Sequence, residues 1–225
     1  MPKTIILSLG GSLICPKDFD FNFLKKFRQV IEKYIKKNRK FVIICGGGKL
    51  ARTFQEIASK SSKLNNEELD WLGIHATKIS AYLVKSIFGR NAEDFIISNP
   101  SQKINFKKNI LIAAGWLPGW STDYDAVLLA KNLRVKEIVN MGNVDYVYDK
   151  DPKKHKGAKK IGNISWQNYM RLISQKWKAG MNAPFDPIAA KEAKKSRIKV
   201  FIIGRDLKNF EGLLDGRKFN GTIIK

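Results

Sequence analysis

The chain has 225 residues, 44% of them apolar and 28% charged, which excludes intrinsic disorder and predicts one α/β domain over residues 1–225. It has no apolar run near the roughly 18 residues that span a bilayer, no signal peptide and only two cysteines. We therefore expect a cytoplasmic protein with neither a disulfide framework nor a zinc site. The net charge of +22 suits anionic substrates, but the lysines are spread along the sequence, which favours an evenly basic surface over a nucleic-acid groove.

Apolar, strand-like runs alternate with helical patterns along the chain. This alternation predicts an α/β fold with a mostly parallel central sheet covered by helices on both faces. Asp186-Pro187 has the pattern of a helix N-cap followed by proline at the first helical position. The predicted strands are 5–9, 41–45, 95–98, 110–113, 138–141 and 200–203, and the predicted helices are 22–37, 49–60, 67–88, 123–133, 165–173 and 186–196. The polar stretch 149–163 is predicted to be a loop near the nucleotide.

Two glycine-rich loops follow the first two predicted strands. Gly10-Gly11-Ser12 follows the first strand, and Cys45-Gly-Gly-Gly48 leads from the second into a helix. Bare backbone N–H groups at a helix start suit phosphate oxygens, so the pair predicts a phosphate-handling enzyme. Neither loop is a Walker A motif, since Leu50 stands where Ser or Thr would follow Lys49. The alternative is that these glycines only make tight turns between strand and helix.

Five short segments extend this pattern along the chain in a fixed order. They are Leu9–Ser12, Gly46–Arg52, Gly115–Asp123, Asn143–Pro152 and Asp186–Lys191. Together they resemble the amino acid kinase superfamily, and most closely its archaeal-type uridylate (UMP) kinases. The resemblance implies a three-layer αβα sandwich that binds ATP and UMP end to end across the sheet. It also implies Mg²⁺-assisted transfer of the γ-phosphoryl group to UMP, a step of pyrimidine nucleotide biosynthesis, by a homo-oligomer that is a hexamer in such relatives.

The resemblance also assigns roles by position. Asp186 matches the acidic residue that organises the reacting centre, and Asp70 would bind the ribose hydroxyls of UMP. No residue is assigned as a metal ligand. The implied ATP site comprises Ser8, Leu9, Gly10, Gly11, Ser12, Gly48, Arg52, Gly142, Asn143, Tyr148 and Asp151. The implied UMP site comprises Gly47, Asp70, Trp116, Leu117, Pro118, Gly119, Trp120, Ser121 and Thr122.

The first loop departs from the family pattern. Many members carry a lysine two residues before the first loop glycine, where this chain has Ser8. Positive charge for the transition state must then come from elsewhere, because phosphoryl transfer depends on positioning and charge stabilisation. We predict that Lys49 takes this catalytic role together with Arg52. The alternative for Lys49 is an exposed lysine in the first turn of the helix.

The acceptor loop departs further, since it carries Trp116, Trp120, Tyr124 and Asp125. The tryptophans are predicted to stack on a pyrimidine or exclude water, or alternatively to pack at a subunit contact. Asp123 and Asp125 could hold Mg²⁺, hydroxyls or an ammonium group, and Asp123 could instead cap the following helix.

Two other function classes stay open. One is a related kinase that acts on another phosphorylated or carboxylated acceptor, because the departures cluster in the acceptor loop. The other is a catalytically weak nucleotide-binding protein, because Ser8 replaces a lysine. A dinucleotide-dependent dehydrogenase would fit Gly46-x-Gly48-x-x-Ala51, but it leaves the later motifs at 143–152 and 186–191 unexplained.

Overall fold

A computed structural model of the chain describes residues 3–150, 152, 155–173 and 183–225. Each of the six predicted strands is present, with ends that differ by a few residues. The strands are β1 (Lys3–Leu9), β2 (Arg39–Cys45), β3 (Ala92–Ile97), β4 (Ile110–Ala113), β5 (Glu137–Met141), β6 (Val147–Tyr148), β7 (Lys160–Ile161), β8 (Asn163–Ile164), β9 (Lys199–Ile203) and β10 (Thr222–Ile224).

The six predicted helices are also present, and the described residues form two further α-helices that the sequence analysis does not predict. None of the helices in the described ranges combines the length and apolar character that crossing a membrane requires. The helices are α1 (Gly11–Ile14), α2 (Phe21–Lys36), α3 (Gly48–Ser61), α4 (Asn66–Phe88), α5 (Thr122–Asn132), α6 (Trp166–Leu172), α7 (Pro187–Lys195) and α8 (Leu207–Leu214).

The central sheet has eight strands in the order β3-β4-β2-β1-β5-β9-β10-β8. All neighbours pair in parallel except β9 and β10, which confirms the mostly parallel sheet. The predicted loop at 149–163 is only partly right. Its last residues form β7 and β8, and β7 pairs with β6 in a separate antiparallel hairpin.

Helices cover both faces of the sheet, and side chains of each central strand alternate between two cores. Leu7 of β1 belongs to the core formed with α2, α4 and α8, whereas Ile6 belongs to the core formed with α5, α6 and α7. The even positions Ser8 and Asn140 of β1 and β5 share this second face, yet they are polar and only 3% and 8% exposed. Buried polar groups need hydrogen-bond partners, so these two residues point to a site between the sheet and α5.

Candidate active site

Both glycine loops and the segment after β5 lie at the carboxyl edge of neighbouring strands, and backbone hydrogen bonds fix them there. Gly10 N–H donates to the Met141 carbonyl at 2.8 Å, and Gly46 N–H donates to the Leu9 carbonyl at 3.0 Å. Gly142 N–H likewise donates to the Ile203 carbonyl at 3.0 Å. The expectation of bare N–H groups is therefore wrong for Gly10 and Gly46, whose amides extend the sheet.

The two glycine loops touch each other directly, backbone against backbone. A Cβ on Gly46 would lie 2.6 Å from the Gly11 nitrogen, and one on Gly11 would lie 2.5 Å from the Gly46 carbonyl carbon. Gly48 has φ +60° and leaves no room for a Cβ against the Gly11 oxygen. Side chains would separate the loops, so these glycines have a structural role besides any contact with phosphate.

Asp123, in the first turn of α5, joins the strand ends to the acceptor loop. Its Oδ1 accepts hydrogen bonds from Ser8 Oγ at 3.1 Å and from Asn140 Nδ2 at 3.0 Å. Its Oδ2 accepts one from the Asp186 backbone N–H at 3.1 Å. The predicted capping role is wrong, because Ser121 is the N-cap residue and accepts from Tyr124 N–H.

Asp186 caps α7 as predicted and is 6% exposed. Its Oδ1 accepts a hydrogen bond from Ala189 N–H at 2.7 Å, and Pro187 occupies the first turn of the helix. Its Oδ2 is buried and has no hydrogen-bond partner among the described residues. A buried carboxylate oxygen without a partner is costly, so this atom is suited to a cation or donor that arrives with a ligand.

Burial makes both carboxylates harder to ionise, and the charge of Asp186 adds to this effect at Asp123. Burial, followed by the charge of Asp186, raises the pKa of Asp123 to about 7, although its hydrogen bonds favour the ionised form. Burial also raises the pKa of Asp186, against the amides of Ala189 and Ile188. A cation held between two such acids would lower both pKa values.

The predicted acceptor residues come together between α4 and α5. Asp70 Oδ2 accepts a hydrogen bond from Gly119 N–H at 2.7 Å, which ties α4 to the acceptor loop and leaves Oδ1 for a ligand. Trp120 packs edge to face against both Trp116 and Tyr124, with ring centroids 4.8 and 4.7 Å apart.

Asp125 forms the buried base of this loop. It is 1% exposed, its Oδ2 accepts from Trp116 N–H at 3.2 Å, and its Oδ1 has no hydrogen-bond partner in the described part of the chain. Burial raises the pKa of Asp125 to about 8. Burial therefore favours the neutral form of this side chain, and its hydrogen bond from Trp116 N–H supports the loop.

The proposed cations lie at the start of α3. Lys49 is partly buried and Arg52 is exposed. Lys49 shares a helix face with Glu56, whose pKa is lowered chiefly by Lys60 and to a smaller extent by Lys49. Within the described ranges, no ion pair joins either cation to an acid.

The remaining predicted residues take different places. Asn143 follows Gly142 in the loop after β5, and Tyr148 in β6 donates its hydroxyl to Asp145 Oδ1 at 3.1 Å. Asp151 lies outside the described residues. The sequence analysis does not identify Asn140 as a site residue. The signal for it in the sequence is an amide side chain inside the mostly apolar strand 137–141.

Comparisons with known proteins identify the family of this chain. The amino acid kinase family profile matches residues 3–204. The chain is 34% identical to the uridylate kinase of Thermococcus kodakarensis and 31% identical to that of Thermoplasma volcanium, over 98% and 100% of this chain and 99% of each relative.

Solved structures give the same result. The crystal structure of uridylate kinase from Archaeoglobus fulgidus superimposes with a TM-score of 0.84 at 29% identity, over 99% of this chain and 100% of that one. The UMP kinase of Bacillus anthracis shares the fold, with a TM-score of 0.79 at 18% identity, over 100% of this chain and 97% of that one. The chain belongs to the amino acid kinase family.

Proposed function

We propose that this chain is a uridylate kinase, which transfers the γ-phosphoryl group of ATP to UMP and yields ADP and UDP. The observation that carries the proposal is the junction at Asp123, which links the first glycine loop to the acceptor loop through Ser8 and the start of α5. The uridylate kinases described above also align with this chain over nearly its whole length.

ATP would lie over the carboxyl edge of β1, β2 and β5, with its phosphates against the outer surface of the two touching glycine loops. The amides of Gly11 and Ser12 begin α1, and Gly48 begins α3, so both helix starts present positive dipole ends to the phosphates. Arg52, one turn into α3, is exposed and would add a charge-assisted contact. Gly142, Asn143 and Tyr148 would then border the adenosine.

Mg²⁺ fits the acid pair in this site. Mg²⁺ is usually held by one or two carboxylates together with substrate phosphates, and the unpartnered Oδ2 of Asp186 offers one such ligand. Asp123 would be the second, because it lies beside Asp186 and a cation would offset the burial and the neighbouring charge that raise its pKa. When bound, the ion would neutralise charge on the β- and γ-phosphates.

The protein has little proton chemistry to perform. The UMP phosphate is largely ionised at neutral pH, as phosphomonoesters have a second pKa near about 6, so its oxygen can attack without a general base. The new O–P bond forms as the bond to the ADP oxygen breaks. Asp123 and Asp186 are therefore assigned to holding charge and geometry, and Lys49 to stabilising the transferred group.

UMP would lie between α4 and the acceptor loop. The free Oδ1 of Asp70 is available to the ribose hydroxyls, and Trp116 or Trp120 offers an aromatic surface to the pyrimidine. A coupled ADP-release assay over UMP, CMP, dTMP, aspartate and acetylglutamate tests the assignment. Turnover with UMP well above the others supports it, whereas preference for another acceptor, or ATP binding without any turnover, contradicts it.

The assembly also follows from this proposal. Large apolar side chains lie exposed on α3 and α4, among them Ile57 at 58% and Tyr82 at 61%. Exposed apolar surface of this kind fits a subunit contact, so we expect a cytoplasmic homo-oligomer, and light scattering of the purified protein measures its mass.

A further inference from the structure

Two adjoining cavities lie at the amino edge of the sheet, opposite the proposed active site. Their volumes are about 640 and 540 Å³, and both are lined by Arg134, Lys136 and Arg197. Of the described residues that line them, Glu137 is the sole acid. We call this surface the basic trough and define it by Lys3, Arg39, Arg134, Lys136, Arg197 and Lys199.

The fold gathers these charges from distant parts of the sequence. Lys3, Arg39 and Lys199 are the first residues of β1, β2 and β9, and Lys136 immediately precedes β5. These four strands are neighbours in the sheet, so their ends span about 14 Å at roughly 4.8 Å per strand. The sequence favoured an evenly basic surface because strand order, and not sequence spacing, brings these residues together.

Two arginines of the trough occupy unfavourable backbone positions. Arg134 and Arg197 follow α5 and α7 with φ of 55° and 52°, in the left-handed region. Each is the C′ residue of a Schellman cap, shown by hydrogen bonds from Val135 to the Ala130 carbonyl and from Ile198 to the Ala193 carbonyl. Glycine is the usual residue there, so the cap itself gives no reason for an arginine.

The same short pattern recurs at both corners. Arg134-Val-Lys136 leads into β5, and Arg197-Ile-Lys199 leads into β9. Attraction to helix dipoles explains basic residues in the last turns of α5 and α7, but it does not require a side chain at the strained position. Two strained arginines side by side indicate that their charge is used.

The charges of the trough are largely uncompensated. Among the described residues, Arg39, Arg134, Arg197 and Lys199 form no ion pair, and Lys3 meets Glu137 only at 3.5 Å. The larger cavity also has an apolar floor that includes Phe201 and Phe219, which are partly exposed and pack edge to face at 5.9 Å. A basic groove with aromatic side chains is typical of sites for single-stranded nucleic acid.

We propose that the basic trough binds single-stranded nucleic acid without sequence specificity, through its phosphates and through bases packed on the apolar floor. A mononucleotide would neutralise only part of a surface that runs through both cavities, so a strand with several phosphates matches it better. The trough lies at the other end of the strands from the kinase site, so the two functions need not compete.

The test is fluorescence anisotropy with a 5′-fluorescein (dA) oligomer of about 12 nucleotides, at several salt concentrations. The variant Arg134→Gly/Arg197→Gly removes both strained charges. We expect its Kd to rise by tenfold or more at low salt, and the slope of log K against log salt to fall by about 1.4, or 0.7 per phosphate contact. Its Tm should stay unchanged or rise by a few degrees, because glycine relieves the left-handed strain.

Matched variants make the test specific. Lys25→Gln/Lys26→Gln removes two exposed charges from α2, away from the trough, and should leave the salt slope nearly unchanged. Arg134→Lys/Arg197→Lys keeps the charge and should bind almost as well as the parent protein. Equal weakening by the α2 variant would overturn the proposal in favour of diffuse attraction. Displacement of the oligomer by ATP or UMP at concentrations that saturate the kinase would overturn it too, since it would place the oligomer in the active site.

Discussion

At the scale of single residues, we predict that Asp123 makes the proposed reaction depend on pH. Burial and Asp186 raise its pKa to about 7, and protonation would remove a charge that the proposed Mg²⁺ site uses. We predict that kcat/KM for ATP falls as pH drops below about 7, since this parameter reports the free enzyme.

The variant Asp123→Asn separates this titration from other pH effects. It should lower kcat/KM by about 10²-fold or more at pH 8 and should lack the acidic limb, because a neutral amide does not titrate. Rates measured from about pH 5.5 to 9 provide the comparison. If the variant still showed an acidic limb in kcat/KM with the same midpoint pH, the titrating group would be a residue other than Asp123.

For Asp125 we predict an effect on stability that depends on pH. Its pKa is about 8 in the folded protein and about 3.9 in an unfolded chain, so the folded state holds a proton that the unfolded state releases. The free energy of unfolding therefore decreases as pH rises from about 4 to 8, and it levels off above that range. Asp125→Asn mimics the protonated form and should be more stable than the parent at pH 8 by a few kcal/mol, on the order of the pKa difference.

Urea unfolding at pH 8 and near pH 4 measures this effect. The two proteins should have similar stability at the lower pH, because both side chains are neutral in the folded state and the unfolded Asp125 is only about half ionised near its pKa of about 3.9. A stability difference that does not depend on pH would show that Asp125 is ionised throughout or that the amide disturbs the loop for another reason.

Asp70 should affect the acceptor more than ATP, since its one observed contact is with Gly119 of the acceptor loop. Asp70→Asn weakens a charge-assisted hydrogen bond worth about 1.5–3 kcal/mol, so we expect KM for UMP to rise by about 10- to 100-fold with little change in KM for ATP. Glu67→Gln, an exposed carboxylate in the first turn of the same helix, is the control. Equal changes for both substrates would remove Asp70 from the acceptor site.

At the scale of elements, the contact between the glycine loops would set the geometry of the proposed phosphate site. Gly48→Ala would introduce both left-handed strain and a clash with the Gly11 carbonyl, whereas Gly216→Ala, at φ +71°, has open space around its Cβ. We expect Gly216→Ala to cost about 1 kcal/mol and Gly48→Ala clearly more, together with weaker ATP binding. Denaturation curves measure the stability of each variant, and titrations measure its affinity for ATP. If both variants lost the same stability and bound ATP as the parent does, the contact between the loops would not be required.

The elements that sequence predicted well are those whose own residues determine them. Apolar runs such as 41–45 and the amphipathic pattern over 22–37 identify β2 and α2 because burial follows a fixed period. The helix Gly11–Ile14 was missed because four residues carry no such period, and Leu207–Leu214 was overlooked despite its Asp206 cap.

The site was predictable only in part, for a related reason. The order of the motifs predicts the two loops and Asp186. It does not predict that Asp123 accepts hydrogen bonds from Ser8, 115 residues away, and from Asn140 on another strand. That pairing depends on β1 lying beside β5 in the sheet. For the same reason, the sequence does not show that the amides of Gly10 and Gly46 donate hydrogen bonds to carbonyls at the ends of neighbouring strands.

At the scale of the whole molecule, parallel strands give the sheet two different edges. The carboxyl edge carries the proposed kinase site, and the amino edge carries the basic trough. The seven residues of β1 separate the edges by about 23 Å at roughly 3.3 Å per residue. Sites this far apart without shared partners usually contribute additively to stability.

We therefore predict that the two edges act independently. ATP at about 100 times its Kd should stabilise the parent protein by about 2.7 kcal/mol, or about 5–11 °C in Tm. The same increment should appear in Arg134→Gly/Arg197→Gly, with a difference below about 0.5 kcal/mol, because ATP contacts neither arginine. Thermal unfolding of both proteins, with and without ATP, completes the thermodynamic cycle. A larger coupling would mean that occupancy of one edge changes the packing of β1, β5 and β9 along their whole length, so that the trough and the kinase site form one linked system.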